Sequence, residues 1–198
     1  MALLDWMSPE SSLRVEGDLV SLRPPRARDY DEWAALRGRS KPFLQPWEPT
    51  WPADDLSKAS FRRRLSAYAR EIDLGAAFPF FVFRAEDDAL VGGVTLSNVR
   101  RGVAQMATVG YWAGQPFARR GYTLAAVRQL SRFAFGALGL HRLEAACVPE
   151  NEGSHRLLLK AGFSLEGRAP AYLKINGDWR DHLLFGMVAA PQGRSTSA

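Results

Sequence analysis

The chain has 198 residues, enough to bury the core of one domain. Hydrophobic residues make up 46% and charged residues 24%, which excludes a disordered chain, and no apolar run nears the ~20 residues of a membrane-spanning helix. The formal net charge of +5 suits an anionic ligand or an acidic partner, but the dense basic stripe of a dedicated nucleic-acid binder is missing.

The first residues, MALLDWMSPE, have no basic stretch and are cut by Asp5, so residues 1–18 read as a loose lead-in and not as a signal peptide. Alternation from Leu19 to Arg23 predicts a strand, stopped by Pro24-Pro25. Ala27–Arg37 has helical spacing. The segment KPFLQPWEPTWP then reads as a loop, because Pro42, Pro46, Pro49 and Pro52 oppose regular structure. Asp54 or Asp55 is placed to cap a helix to about Ile72, with Leu56, Phe61, Leu65, Tyr68 and Ile72 as its apolar stripe. Arg62, Arg63, Arg64 and Arg70 fall on its other face.

Strands are predicted at Phe78–Phe83, Leu90–Val99 and Val103–Trp112. A strand-helix-strand-helix run follows: the helix Tyr122–Leu138, the strand LHRLEAACV, and a helix opening at Asn151 and closing at Gly162. Phe163–Arg168 reads as a strand, and Tyr172–Val188 as a hairpin turning at Asn176-Gly177. Residues 190–198 read as a disordered tail. The whole is a mixed α/β layer fold on one central sheet, with its domain spanning 19–189.

The chemistry concentrates between Val109 and Phe163. Ala118-Arg119-Arg120-Gly121-Tyr122-Thr123 joins a strand to a helix start, where unpaired N–H groups and the helix dipole favour an anion. Gly121 permits close approach, Arg119 and Arg120 add charge, and Thr123 adds a hydroxyl. By itself the segment reads equally as a plain turn with solvated arginines. Neither a Walker loop nor a dinucleotide fingerprint is present.

Asn151 suits an N-cap, which sets Ser154 one turn inside the second helix. His141 and His182 lack metal-ligand spacing, so no metal is expected. The single cysteine, Cys147, reads as a small buried hydrophobe, excludes an internal disulfide and suits a reducing cytoplasm. No G-x-S-x-G supports a serine hydrolase.

Together these residues resemble the GNAT superfamily of acetyl-CoA-dependent N-acetyltransferases, and within it the RimJ/RimL branch. The resemblance covers about residues 19–189. It rests on Ala118 to Thr123 in the place of the pyrophosphate loop, on Asn151, Ser154, Leu158, Gly162 and Phe163 in the following motif, and on the branch-like segments FLQPWEP, LEG and YLKINGDWRDH. It implies a central, mostly antiparallel seven-stranded twisted sheet, splayed at the acetyl-CoA cleft and flanked by about four helices. Val109-Gly110-Tyr111-Trp112 would pair with the pantetheine arm, and Ala118, Arg119, Arg120, Gly121, Tyr122 and Thr123 would hold the pyrophosphate. The sequence departs from the family at Ala118, where Gln or Arg is usual, and at Thr123, where a small residue is usual. It also departs at Leu158, where many members carry a tyrosine general acid. RimL-like enzymes share that last feature, and a serine at the Ser154 position is thought to serve the departing sulfur. Ser154, Asn151 and Glu150 are therefore the expected catalytic residues, and Asn151 and Ser154 are also expected to contact the cofactor.

The reaction so implied is direct attack of an amine on a thioester in a ternary complex. The RimL-type base glutamate aligns with Leu173, which leaves the base unassigned. Glu48, Glu144, Glu150 and Asp181 are candidates to relay a proton through water, Glu150 first because it adjoins Asn151. At pH 7 about one α-amine in eight is neutral (pKa ~7.7–8.0), against about one lysine in 2,500 (~10.4), a gap of roughly 300-fold. A site without a base therefore favours an N-terminal amine. Trp47, Glu48, Trp51 and Tyr172 are candidate acceptor walls, although the tryptophans equally suit closing the core. The RimJ-like expectation is the N-terminal alanine of a ribosomal protein. The alternatives are a small amine such as a polyamine or antibiotic, or a non-catalytic CoA-binding or ribosome-associated module. A cytoplasmic monomer or homodimer is expected, with no direct nucleic-acid or membrane contact.

Overall fold

The computed structural model describes residues 13–190. Residues 1–12 and 191–198, on which most of the expected lead-in and the expected tail fall, lie outside the described residues. The elements in order are β1 (Val20–Arg23), α1 (Tyr30–Leu44), α2 (Lys58–Asp73), β2 (Phe78–Arg84), β3 (Leu90–Arg100), β4 (Met106–Ala113), α3 (Tyr122–Gly136), β5 (Arg142–Cys147), α4 (Glu152–Ala161), β6 (Ser164–Ile175) and β7 (Asp178–Val188). The strands form one seven-stranded sheet in the order β1-β2-β3-β4-β5-β7-β6. Every neighbouring pair is antiparallel except β4–β5. This is the mixed α/β architecture that the resemblance implied, with seven strands and four α-helices among the described residues.

Period-two alternation sorts the core into two layers. On β2, Phe78, Phe80 and Val82 pack with Ala126, Val127, Leu130 and Ala134 of α3. Phe81 and Phe83 point the other way, to Trp33 and Leu36 of α1 and Phe61 of α2. So α3 and α4 cover one face and α1 and α2 the other.

Four boundaries differ from the sequence reading, each for a local reason. Helix α1 runs through Pro42 to Leu44, and Pro46 sits in a 3-10 turn at Gln45–Trp47. Pro42 lies in the last helical turn, where its missing N–H costs one bond, to the Gly38 carbonyl, and Pro46 stands at a turn start, where an N–H is not needed. Ser57, not an aspartate, caps α2: its side chain accepts from Ser60 N at 3.1 Å. Asp54 and Asp55 instead pair with Arg63 and Arg64. Strand β4 starts only at Met106, because positive φ at Gly102 and Gln105 turns the chain before it. The last strands form one long hairpin, with β6 continuous through a register shift between Ala169 and Leu173 where Ala171 has a φ of 45°.

The functional opening follows from register. Strands β4 and β5 pair only from Met106↔Arg142 to Thr108↔Glu144. Beyond that point β4 stays on β3 to Ala113, while β5 stays on β7 to Cys147. The strands part there, leaving a slot between the edge 109–113 and the edge 145–147.

Candidate active site

Past Thr108, the β5-facing edge of β4 has no strand partner among the described residues. Its N–H and C=O groups are free for an extended chain, the sheet-addition mode of binding. Val109 and Tyr111 face the α3–α4 layer. Gly110 and Trp112 face the opposite side, where a Cβ at Gly110 would meet nothing within 4 Å. Access from the α1–α2 face is therefore open at Gly110.

The first turn of α4 closes one wall of the slot. Asn151 Oδ1 accepts from Ser154 N at 3.0 Å, so the cap also fixes Ser154. The Ser154 hydroxyl lies 2.6 Å from the Tyr111 hydroxyl. Cys147, at the end of β5, is buried. Burial pushes the Tyr111 phenol up, opposed only in part by Ser154. Burial likewise pushes the Cys147 thiol up. Both are protonated at neutral pH. Leu158 is fully buried in the α3–α4 core, one turn further along the helix, and does not line the slot.

The loop 118–123 stands at the α3 end of the slot. Arg119 has a φ of 61° and Gly121 one of 84°, while Arg120 between them stays on the negative side. This alternation turns successive N–H groups toward one another's side, as in anion-binding nests. Among the described residues no side chain caps α3, which leaves its first N–H groups unspent. Arg119 and Arg120 are exposed, and among the described residues neither guanidinium has a side-chain partner. Tyr122 packs edge-on against Phe117, and Thr123 is half-buried in the first turn. A free strand edge ending at an uncapped helix start fits the arm and pyrophosphate of coenzyme A.

On the acceptor side, Glu48 grips Arg37 with both oxygens, at 2.7 and 2.8 Å, and accepts from Trp51 Nε1 at 2.7 Å. The Arg37 guanidinium lies 4.2 Å from the Trp51 ring centre and 5.0 Å from that of Trp112. Glu48 and Trp51 are thus tied to the open end of β4. The half-buried Trp47 belongs to a turn held against the β6–β7 tip, where Asn176 N donates to Glu48 O at 2.9 Å. Tyr172 sits elsewhere, on a cleft of about 570 Å³ that it shares with Thr95, Ser97, Thr108 and Glu144 and that neither Trp47 nor Trp51 lines. Its ring stands edge-on to the buried His182 at 5.6 Å.

The four carboxylates that could relay a proton are all engaged. Glu48 holds Arg37, and Glu150 is exposed and 3.1 Å from Arg180. Glu144 meets Arg142 at 3.1 Å and Arg100 at 3.6 Å. Asp181 accepts from Ala171 N at 2.9 Å and from Arg168 at 2.7 Å, and these partners, the backbone N–H first, hold its carboxyl below the usual range.

Sequence reasoning missed the roles of the Tyr111 side chain and of Arg37. Alternation along β4 carried a signal for Tyr111, since it must share the face of Val109. Nothing in the sequence pairs Arg37 with Glu48 eleven residues on.

The acetyltransferase (GNAT) domain family matches residues 20–164. The chain is 33% identical to the Probable N-acetyltransferase YjcK of Bacillus subtilis, covering 88% of this chain and 96% of that protein. It is 30% identical to the [Ribosomal protein uS5]-alanine N-acetyltransferase of Escherichia coli, covering 94% and 96%. The solved structure of Mycobacterium smegmatis RimJ in complex with CoA-disulfide superposes with a TM-score of 0.83 at 35% identity, covering 87% of this chain and 84% of that one.

Proposed function

The chain belongs to the GNAT family of acetyl-CoA-dependent N-acetyltransferases, and from this premise we propose that its acceptor is the α-amine of a protein N-terminus, an alanine of a ribosomal protein in the first instance. The observation that carries the acceptor class is the engagement of all four candidate carboxylates in ion pairs. A site whose candidate bases are all paired acts best on an amine with a large neutral fraction, and an α-amine exceeds lysine in this respect by about 300-fold at pH 7. Similarity to the alanine N-acetyltransferase of Escherichia coli supports the finer assignment. We propose a unit spanning 19–189 as the catalytic domain.

In this reading acetyl-CoA supplies an activated acetyl thioester. Backbone N–H groups of Val109–Trp112 align the cofactor's arm, and one of them polarises the thioester carbonyl. The 118–123 loop and the first turn of α3 hold the pyrophosphate, with Arg119 and Arg120 adding charge. Asn151 fixes the backbone of Ser154, and Ser154 donates a hydrogen bond to the sulfur as the C–S bond breaks. A thiol of pKa near ~8.5 leaves readily, so one such bond suffices. The opening at Gly110, bounded by Trp112 and the Arg37–Glu48–Trp51 cluster, admits the amine from the opposite face.

The test is a panel of peptides beginning with Ala, Ser or Met, an N-blocked lysine peptide, and small amines, each incubated with acetyl-CoA and weighed by mass spectrometry. A gain of one acetyl group at the α-amine of the Ala peptide is expected. Acetylation of small amines with none of peptides would refute the acceptor, and CoA binding without any turnover would refute the activity.

A further inference from the structure

Leu158, where the resemblance implies a tyrosine acid, is buried in the core. A tyrosine hydroxyl nevertheless reaches the slot, from a different element. Tyr111 comes from β4, the strand expected to lie along the cofactor, and its hydroxyl is 2.6 Å from Ser154 Oγ. We propose that Tyr111 is the positioning residue of the leaving-group site: its phenol donates to Ser154 Oγ and so commits the serine's own proton to the departing coenzyme A sulfur. This rests on the reading of Ser154 given above.

The donor direction follows from chemistry. A serine hydroxyl has one proton and two lone pairs, so it can accept from one neighbour and donate to another. Burial keeps the Tyr111 phenol protonated, and it therefore always has a proton to give. Burial also pushes up the Cys147 thiol, with Ser154 opposing in part. Neither group ionises across neutral pH, and neither presents a competing negative charge. Asn151 is spent on Ser154 N and does not compete for Oγ.

The same facts limit the role to hydrogen bonding. Full transfer would leave a buried phenolate in order to protonate a thiolate of pKa near ~8.5, which is uphill. The balance is instead as follows. The C–N bond forms, the C–S bond breaks with its electron pair on sulfur, the amine's proton leaves to water, and the thiolate takes its proton from water. Tyr111 and Ser154 keep their protons throughout. Hydrogen bonds in series strengthen one another, so the phenol sharpens the serine as a donor.

The experiment measures coenzyme A binding by calorimetry from pH 7 to 9.5, with desulfo-coenzyme A as control, for wild type, Tyr111→Phe and Ser154→Ala. The wild type should bind coenzyme A more tightly as its thiol ionises, and the control should show no such rise. Tyr111→Phe, which preserves packing, should cut the rise by ~3–10-fold, the scale of one hydrogen bond. It should also lower kcat by a similar factor at unchanged KM for acetyl-CoA. The double variant Tyr111→Phe/Ser154→Ala should be no worse than Ser154→Ala. A normal rise and kcat in Tyr111→Phe, with both lost in Ser154→Ala, would overturn the proposal and leave Ser154 in place. Multiplying losses in the double variant would overturn it too, because Tyr111 would then act apart from Ser154. Absence of any rise in the wild type, with Ser154→Ala fully active, would remove both residues.

Discussion

Raising the pH from 7 to 9 should increase kcat/KM about eightfold for a peptide with a free N-terminal amine, and about a hundredfold for an N-blocked lysine peptide. The structural ground is that Glu48, Glu144, Glu150 and Asp181 are each held by an arginine. With these four carboxylates engaged, the rate should follow the neutral fraction of the acceptor itself. For an α-amine of pKa ~7.7–8.0 that fraction is roughly one eighth at pH 7 and nearly one at pH 9. For lysine at ~10.4 it rises from about one in 2,500 to about one in 25. Selectivity for the α-amine should therefore shrink from roughly 300-fold at pH 7 to about 25-fold at pH 9. The assay is thiol release under saturating acetyl-CoA at constant ionic strength, with the acetylated position read by mass spectrometry. A profile flat above pH 6.5, or one inflecting near pH 6, would refute the reasoning, because a protein group would then be taking the proton.

Gly121→Val places a β-branched residue at a φ of 84°, a conformation that costs roughly 1–2 kcal/mol or more. The loop should shift and coenzyme A affinity should fall at least ~10-fold, as read by calorimetry; equal affinity would mean that the loop does not hold the pyrophosphate. Glu48→Ala leaves Arg37 without its carboxylate, and a loss of about 2 kcal/mol should lower Tm by ~4–8 °C and raise the peptide KM; an unchanged peptide KM would detach this loop from the acceptor. Because the Asp181 carboxyl is held low, its contribution is present above the unfolded value of ~3.9 and is lost as pH falls through the lower folded value. Exchange at the Ala171 amide should therefore accelerate below about pH 4 relative to its neighbours, and uniform protection there would refute the link.

Much of this fold was legible because its signals are local. The apolar run Phe78–Phe83 and the cap–stop pair Asn151 and Gly162 depend on residues close in sequence, and the structure has both. The misplaced cap of α2 shows where local reading fails: Asp54, Asp55 and Ser57 are all competent caps, and the choice fell to Ser57 because Arg63 and Arg64 engage the aspartates. The Trp-rich loop was harder still. Its geometry depends on Arg37 lying between two indoles and on Asn176, far along the chain, reaching Glu48. The long-range contact between Tyr111 and Ser154 was invisible for the same reason, since only the parting of β4 and β5 brings the two together.

That parting also explains why one parallel pair stands in an otherwise antiparallel sheet. In antiparallel neighbours, the segments that follow the two strands leave at opposite ends. Strands β4 and β5 run the same way, so α3 and α4, which follow them, both begin at the same edge. Two helix N-termini therefore converge on one slot, one at Gly121 with unspent N–H groups and one at Asn151 with Ser154 fixed behind it. The crossover through α3 is what a parallel pair requires, and it sets the anion-holding end on the same side of the sheet as the serine. Had β5 run antiparallel to β4, a loop at 118–123 and a serine at 154 would lie a strand length apart. Register then completes the arrangement: pairing stops after Thr108↔Glu144, so the strand ends nearest the two helix starts are the ones left open to an extended ligand.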